Sequence, residues 1–183
     1  MKKKTRKTVK KKTSKGTRAT KARKVSFIPK GYATVTPYLI VHDGKAALEF
    51  YRQVLGAKVL MTFPMGDKLG HAELRVGDSL VMLADEFPES GAVSPRTVGG
   101  SPVNLMVYVK DCDKVIERAV QAGATLTQAA DNKFYGDRSG TITDPFGHRW
   151  TIATHIEDVT PREIKKRMAA MQAGGGASSP PAA

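Results

Sequence analysis

The sequence predicts an α+β fold made of two tandem βαβββ modules. Helix starts, helix ends and late turns recur with a spacing of 67 to 70 residues: Asp43 and Asp111, Gly56 and Gly123, Gly77 and Gly147. Each repeat reads as strand, helix, strand, strand, strand. One module alone would leave an apolar sheet face uncovered. Two related modules, at about residues 32–86 and 101–156, can cover their helices on one side and enclose a cleft on the other.

The first module begins with β-branched and aromatic residues that alternate over Tyr32–Val41 and predict a strand. Asp43 can cap the following helix, whose apolar residues recur at helical spacing until Gly56 ends it. Three further strands are predicted at 58–63, 71–76 and 79–84, with a turn over 64–70. On the second of these, His71 and Glu73 share one face with Arg75, because side chains alternate along a strand.

The second module follows a connector or lid, residues 85–102, that is rich in proline and glycine. A strand is predicted over 103–109, then a helix capped by Asp111 or Asp113, and a weak strand after Ala124. A hairpin turning at Asp144-Pro145-Phe146-Gly147 closes the module. Thr160, Pro161 and Glu163 then start a helix over 161–172.

Charge is concentrated at the N-terminus. Residues 1–24 contain thirteen Lys or Arg and no acid, whereas the rest of the chain has 17 residues of each sign. Residues 1–27 and 173–183 have too little to bury and are expected to be disordered. Residues 2–24 are either an electrostatic arm for nucleic acid or another polyanion, or a solubilising extension. One cysteine, Cys112, and no apolar run of membrane-spanning length predict a cytoplasmic protein.

Several motifs resemble the vicinal oxygen chelate superfamily, which includes glyoxalase I, bleomycin resistance proteins and extradiol dioxygenases. The first is Glu49-Phe50-Tyr51 with Leu55-Gly56-Ala57, and the second is Asp144-Pro145-Phe146-Gly147-His148. Four others look like the PhnB-like subgroup: 36–39, 82–87, 135–140 and 150–155. The resemblance covers about residues 28–170 and places the domain at 28–160. It implies a curled, mixed eight-stranded sheet around a small-molecule cavity, usually in a homodimer that is side-by-side or module-swapped, but no single activity.

The resemblance also implies four metal-ligand positions, a His or Gln on the first strand of each module and a Glu on the last. Here they fall on Thr36, Met82, Asn104 and Thr151. Thioether, hydroxyl and amide groups are poor ligands for a divalent transition metal. We therefore expect no metal and no other cofactor.

Alternation along the strands predicts which residues face the cavity. We expect a small organic ligand, planar or semi-apolar, to contact eight residues: Tyr38, Met82, Asn104, Met106, Tyr108, Tyr135, Arg138 and Thr151. Arg138 either clamps an anionic group of the ligand or pairs with Asp137 to stiffen its loop.

Three functions remain open from the sequence. The first is a metal-independent small-molecule binding protein. The second is a lyase- or isomerase-type enzyme that uses His71 and Glu73 as an acid/base pair, or holds a metal at a non-standard site. The alternative for that pair is a partly wetted polar strand face in which Glu73 pairs with Arg75. The third is a nucleic-acid-associated protein that binds through its basic tail.

Overall fold

The computed structural model describes residues 25–174, and within them the fold is α+β with eight strands and four α-helices. The strands are β1 (Tyr38–Val41), β2 (Lys58–Met65), β3 (Lys68–Val76), β4 (Ser79–Asp85), β5 (Asn104–Tyr108), β6 (Thr125–Asn132), β7 (Asp137–Thr143) and β8 (Arg149–His155). The helices are α1 (Gly44–Leu55), α2 (Pro95–Val98), α3 (Cys112–Gln121) and α4 (Pro161–Gly174). The order confirms two βαβββ modules, β1-α1-β2-β3-β4 and β5-α3-β6-β7-β8. The tails predicted to be disordered lie outside the described residues, except for 25–27 and for 173–174, which extend α4.

The first module follows its local signals at the helix and departs from them at the strands. The Asp43 side chain accepts a hydrogen bond from the Ala46 N–H at 2.9 Å, and Gly56 ends α1 with a φ of 64°. The first strand is shorter than predicted, since its pairing with β4 begins at Tyr38. The turn predicted over 64–70 is wrong, because β2 continues to Met65 and β3 starts at Lys68. Pro64 is tolerated because β2 is an edge strand.

The second module resolves the choice between two helix caps. Asp111 caps α3 by accepting a hydrogen bond from the Lys114 N–H at 3.1 Å, while the Asp113 carboxylate binds Arg138 instead. The weak strand after Ala124 is the eight-residue β6, which pairs with β7. The connector between the modules contains a short 3-10 turn, Pro88–Ser90, and the single-turn helix α2.

The eight strands form two four-stranded sheets, in the orders β1-β4-β3-β2 (sheet 1) and β5-β8-β7-β6 (sheet 2). The first pair in each sheet is parallel and the others are antiparallel. The continuous eight-stranded sheet implied by the resemblance is therefore not formed within residues 25–174. β1 and β5 are outer strands that pair only on one side. We call the helix-covered side of each sheet its back and the opposite side its front.

A single hydrophobic core joins the back faces of both sheets with α1 and α3. Its centre is an aromatic cluster of Phe50, Tyr51, Phe146 and Trp150, with ring centroids 5.5 to 6.1 Å apart. The first two rings come from α1 and the others from the β7–β8 hairpin of the second module. Burial of these large rings provides much of the free energy that holds the modules together.

The buried Asp144 carboxylate organises the polar contacts of this core. One oxygen accepts hydrogen bonds from the Tyr51 hydroxyl at 2.6 Å and from the Trp150 indole N–H at 2.9 Å. The other accepts from two backbone N–H groups of its own turn, Phe146 and His148, at 2.9 Å each. Burial, followed by the charge on Asp144, raises the pKa of Tyr51 well above its usual value, so this hydroxyl stays a donor.

The C-terminal helix α4 is held by one arginine. Thr160 caps it, accepting from the Glu163 N–H at 3.3 Å. The Arg167 guanidinium binds both oxygens of Glu157, at 2.7 and 2.8 Å, and also the Phe134 carbonyl at 3.3 Å. Between residues 25 and 174, none of the helices combines the length and the apolar character required to cross a membrane.

The Tyr51–Asp144 hydrogen bond provides a test of how the modules are joined. We expect Tyr51→Phe to lower the free energy of unfolding by about 1–3 kcal/mol, because it removes a donor from a buried carboxylate. Urea denaturation of the full chain measures this change. Tyr135→Phe is the control and should change stability by less than about 0.5 kcal/mol, since that side chain is 38% exposed. Equal losses in both variants would contradict the assignment.

Candidate functional site

The front of sheet 1 carries two rows of side chains, one of which crosses all four strands. Strand register aligns Met61, Glu73, Met82 and Tyr38 in one row. In the next row Phe63 lies opposite His71, with ring centroids 6.3 Å apart. The back of the central strand β3 instead buries Ala72, Leu74 and Val76. Ionisable groups, thioethers and aromatic rings are therefore brought together on one face.

Within this face, four polar side chains form a connected chain. The His71 Nδ1 atom lies 2.9 Å from the Tyr38 hydroxyl, and its Nε2 atom lies 3.6 Å from Glu73 Oε1. The Tyr32 hydroxyl donates a hydrogen bond to the same Glu73 oxygen. Glu73 is buried at 7% exposure, whereas Tyr38 is 47% exposed. This chain of contacting side chains thus runs from a buried carboxylate to an exposed hydroxyl. Partial burial raises the pKa of the Tyr38 hydroxyl.

The front of sheet 2 is neutral at the corresponding position. The Asn104 amide donates to the Thr151 hydroxyl at 2.8 Å, and the Thr141 hydroxyl lies 3.3 Å from that same oxygen. Met106 is in register with Thr151 and is 47% exposed. Amide and aliphatic hydroxyl groups can orient a ligand through hydrogen bonds, but they neither ionise nor accept a proton near neutral pH.

A second ionisable cluster lies at the far end of sheet 2. The buried Asp137 carboxylate accepts from the Tyr108 hydroxyl at 2.8 Å and contacts His155 Nδ1 at 2.7 Å. His155 Nε2 lies 3.0 Å from Asp158. The hydrogen bond to Asp137, and to a lesser extent the one to Asp158, raises the pKa of His155. The hydrogen bond that Tyr108 donates to Asp137 raises the pKa of Tyr108. These contacts fasten the segment after β8 to the start of β7.

The predicted pairing of Arg138 with Asp137 is wrong. The Arg138 guanidinium binds both oxygens of Asp113 at 2.7 Å and the Asn132 side chain at 3.1 Å. The reason is alternation along β7: adjacent residues point to opposite faces, so Arg138 lies on the side of α3 while Asp137 lies on the front. Tyr135 is 38% exposed and packs edge-on against Phe134. Binding of a ligand anion by Arg138 remains a prediction, and it would require the Asp113 contacts to open.

The four family metal positions do not offer a suitable donor set. Two of them, Asn104 and Thr151, are hydrogen-bonded to each other, and Met82 offers only a thioether. Thr36 precedes β1, with its hydroxyl 3.4 Å from the Ala33 carbonyl. All four donors are neutral, whereas a divalent transition metal requires imidazole, thiolate or carboxylate ligands. Among residues 25–174, no three His, Cys, Asp or Glu side chains are grouped so that they could hold a metal ion.

The front faces are open in the single chain. A groove of about 1060 Å³ lies instead along the outer edge of β5, between the two modules. Its walls include residues 54–56, 76–81 and 105–111. Of the eight predicted ligand contacts, Met106 and Tyr108 line this groove and the other six do not. The groove is therefore distinct from the Tyr38–His71–Glu73 cluster on sheet 1.

Three contributors to these faces were missed from the sequence. Phe63 was detectable only in part: a β2–β3 hairpin with a two-residue turn brings it beside β3, but the register shift between Phe63 and Pro64 is what sets it opposite His71. Tyr32 and His155 carry no comparable signal, since their partners lie on other elements. Tyr32 lies 41 residues from Glu73, and Asp137 reaches His155 only through the pairing of β7 with β8, whereas Asp158 follows His155 by three residues.

The raised pKa of His155 predicts a pH dependence of stability. The folded chain binds the imidazole proton more tightly than the unfolded chain. The stabilising contribution of His155 is therefore complete below its ordinary pKa of 6.5 and is lost as the pH rises through the raised folded value. Urea denaturation at a series of pH values should show the stability difference between wild type and His155→Gln shrinking above about pH 6.5. Asp158→Asn should weaken this dependence. A difference that stays constant across the series would mean that the two carboxylate contacts do not form in solution.

Comparison with known proteins supports the same fold. Residues 32–152 match the Glyoxalase/Bleomycin resistance protein/Dioxygenase superfamily. An uncharacterised protein of Mycobacterium bovis is 36% identical over 144 residues, covering 76% of this chain and 95% of that protein. A protein of Mycobacterium tuberculosis is also 36% identical over 144 residues, and the match covers 85% of the length of that protein. The superfamily match does not distinguish the PhnB-like subgroup, which remains a prediction.

Solved structures extend the comparison. TioX from Micromonospora is 25% identical, with a TM-score of 0.54 over 68% of this chain and 99% of TioX. The fosfomycin resistance protein FosX from Mesorhizobium loti is 15% identical, with a TM-score of 0.52 over 75% of this chain and 97% of FosX. The second likeness concerns the fold alone. With paired βαβββ modules and a match over 32–152, the chain belongs to the glyoxalase/bleomycin resistance protein/dioxygenase superfamily.

Proposed function

We propose that this protein binds a planar or semi-apolar organic ligand against the front faces of its sheets, without a divalent metal. The observation that carries the proposal is the exposure of large side chains there: Tyr38 47%, Phe63 56%, Met106 47% and Tyr108 60%. A sheet face that only had to stay in water would carry polar groups. Flat rings and flexible thioethers beside a few polar groups are typical of a ligand-binding surface. By analogy with the resistance proteins of the superfamily, the role is sequestration.

A second copy of the chain completes the cavity in this proposal. In one chain the front faces are open, and both β1 and β5 have a free edge. The exposed strand β2 adds Leu60, Met61 and Met65 to the apolar surface. Pairing sheet 1 of one copy with sheet 2 of another would cover these side chains and close the faces around a ligand.

The ligand proposal is tested with 4-nitroanisole, an uncharged planar probe, by equilibrium dialysis against the full chain. We expect Met106→Glu to weaken binding at least about tenfold, because a carboxylate would have to be desolvated beside the ligand. The same variant should lower the mass in sedimentation equilibrium from about twice 19.8 kDa toward one chain. Met171→Glu, at an exposed methionine on α4, is the control and should change neither.

Chelation distinguishes this proposal from the metal-dependent alternative. Probe binding should be unaffected by EDTA, since the family positions hold only neutral donors. A stoichiometric metal whose removal abolishes binding would contradict the proposal. Failure of wild type to bind the probe, or an equal loss in Met106→Glu and Met171→Glu, would also contradict it.

The basic N-terminal segment supports a separate proposal, that residues 2–24 bind nucleic acid or another polyanion. The segment has thirteen cationic side chains and no acidic one, whereas the rest of the chain is formally neutral. Deleting residues 1–24 should abolish retention on DNA-cellulose at low salt, and wild-type retention should fall steeply as salt rises. Retention that survived the deletion would assign DNA binding to residues 25–183 instead.

A further inference from the structure

The polar chain on the front of sheet 1 ends at a hydroxyl that faces the proposed ligand. Tyr38 contacts His71 Nδ1 at 2.9 Å, and the opposite ring nitrogen faces Glu73 at 3.6 Å. Tyr32 holds the Glu73 carboxylate from the other side. A hydroxyl, an imidazole and an oriented carboxylate in sequence are the arrangement by which proteins move a proton to or from a hydroxyl.

The surroundings of His71 leave Glu73 as its ionic partner. On β2, Phe63 is in register with His71 and Met61 with Glu73, and on β4 Met82 is in register with Glu73. Arg75 shares this face, but its guanidinium is directed to the Asp78 carbonyl at 3.4 Å and not to Glu73 as the alternative predicted. The titratable groups that face the imidazole are therefore Tyr38, Glu73 and, through Glu73, Tyr32. When Nε2–H points to the carboxylate, Nδ1 is the acceptor for the Tyr38 proton.

We propose that Tyr38, His71 and Glu73 form a proton relay that ionises an acidic hydroxyl of the ligand, a phenol or an enol. This inference rests on the proposed binding of a ligand against this face. The ligand O–H bond breaks as its proton passes to the Tyr38 oxygen, and the Tyr38 proton passes to His71 Nδ1. The products are a ligand oxyanion and an imidazolium ion paired with Glu73. Tyr38 ends the step as it began, and nothing is oxidised or reduced.

Two features select a phenol or enol over an aliphatic alcohol. The Phe63 and Tyr38 rings lie on either side of His71, with centroids 6.3 and 5.5 Å from its ring, and together they offer flat surfaces to a conjugated ring. A neutral imidazole is also a weak base, so it can take a proton only from a hydroxyl that is itself acidic. Tyr38 contacts the ligand, whereas His71 and Glu73 act through Tyr38.

The relay is tested with 4-nitrophenol, which absorbs visible light strongly only when ionised. Its spectrum is recorded bound to the full-length chain across a pH series, and binding is measured in parallel by equilibrium dialysis. We expect wild type to lower the apparent pKa of the bound phenol by at least about one unit, a tenfold shift toward the oxyanion. His71→Gln and the exposed Tyr38→Phe should return it to the free value. His42→Gln, at a histidine that contacts Arg96 away from this face, should behave as wild type.

The methyl ether 4-nitroanisole separates the relay from ligand binding as such. Wild type should bind the phenol at least about tenfold more tightly than the ether near neutral pH, whereas His71→Gln should bind both alike. Equal binding of both compounds by wild type, with an unshifted phenol pKa, would overturn the relay and leave the proposed ligand site intact. Binding of neither compound would overturn both. A pKa shift that persisted in Tyr38→Phe and His71→Gln would also overturn the relay.

Discussion

The buried Asp144 carboxylate is the interaction on which the rest of the structure depends. It lies in the tight turn between β7 and β8, yet it receives the hydroxyl of Tyr51 from α1 of the other module. Its remaining donors come from its own turn and from Trp150. A buried carboxylate without these partners would cost several kcal/mol. The turn, the helix and the following strand therefore have one arrangement in which every group is satisfied. That arrangement sets which residues of β8 face the front of sheet 2.

The local architecture could be predicted from the sequence because it depends on short-range physics. Caps such as Asp43 act over three residues, and strand alternation acts over two. The module repeat was visible because the helix ends and turns recur at a fixed spacing. These rules also placed His71 and Glu73 together on one face. They did less well at strand ends, where pairing with a neighbouring strand decides the boundary. β1 is short for this reason, and β2 continues through Pro64.

The site could be predicted as a set of faces but not as a set of contacts. Tyr38 and His71 are in contact although they lie 33 residues apart in the sequence, and Arg138 binds Asp113, which lies 25 residues away. Such pairs depend on how sheets and helices pack, and sequence spacing does not encode that packing. The division into two sheets was also not visible locally, because an outer strand and an inner strand have the same alternating pattern.

The two front faces have unequal chemistry: sheet 1 carries an ionisable chain, whereas sheet 2 carries an amide–hydroxyl ladder at the corresponding row. In an assembly of identical single modules, every substitution would appear in both halves of a cavity at once. Joining the modules in one polypeptide removes that constraint. One half can acquire reactive groups while the other keeps neutral groups that hold and orient. Duplication followed by divergence thus gives this fold two unequal faces, and in the proposed cavity that inequality would let one wall distinguish the two ends of a bound molecule.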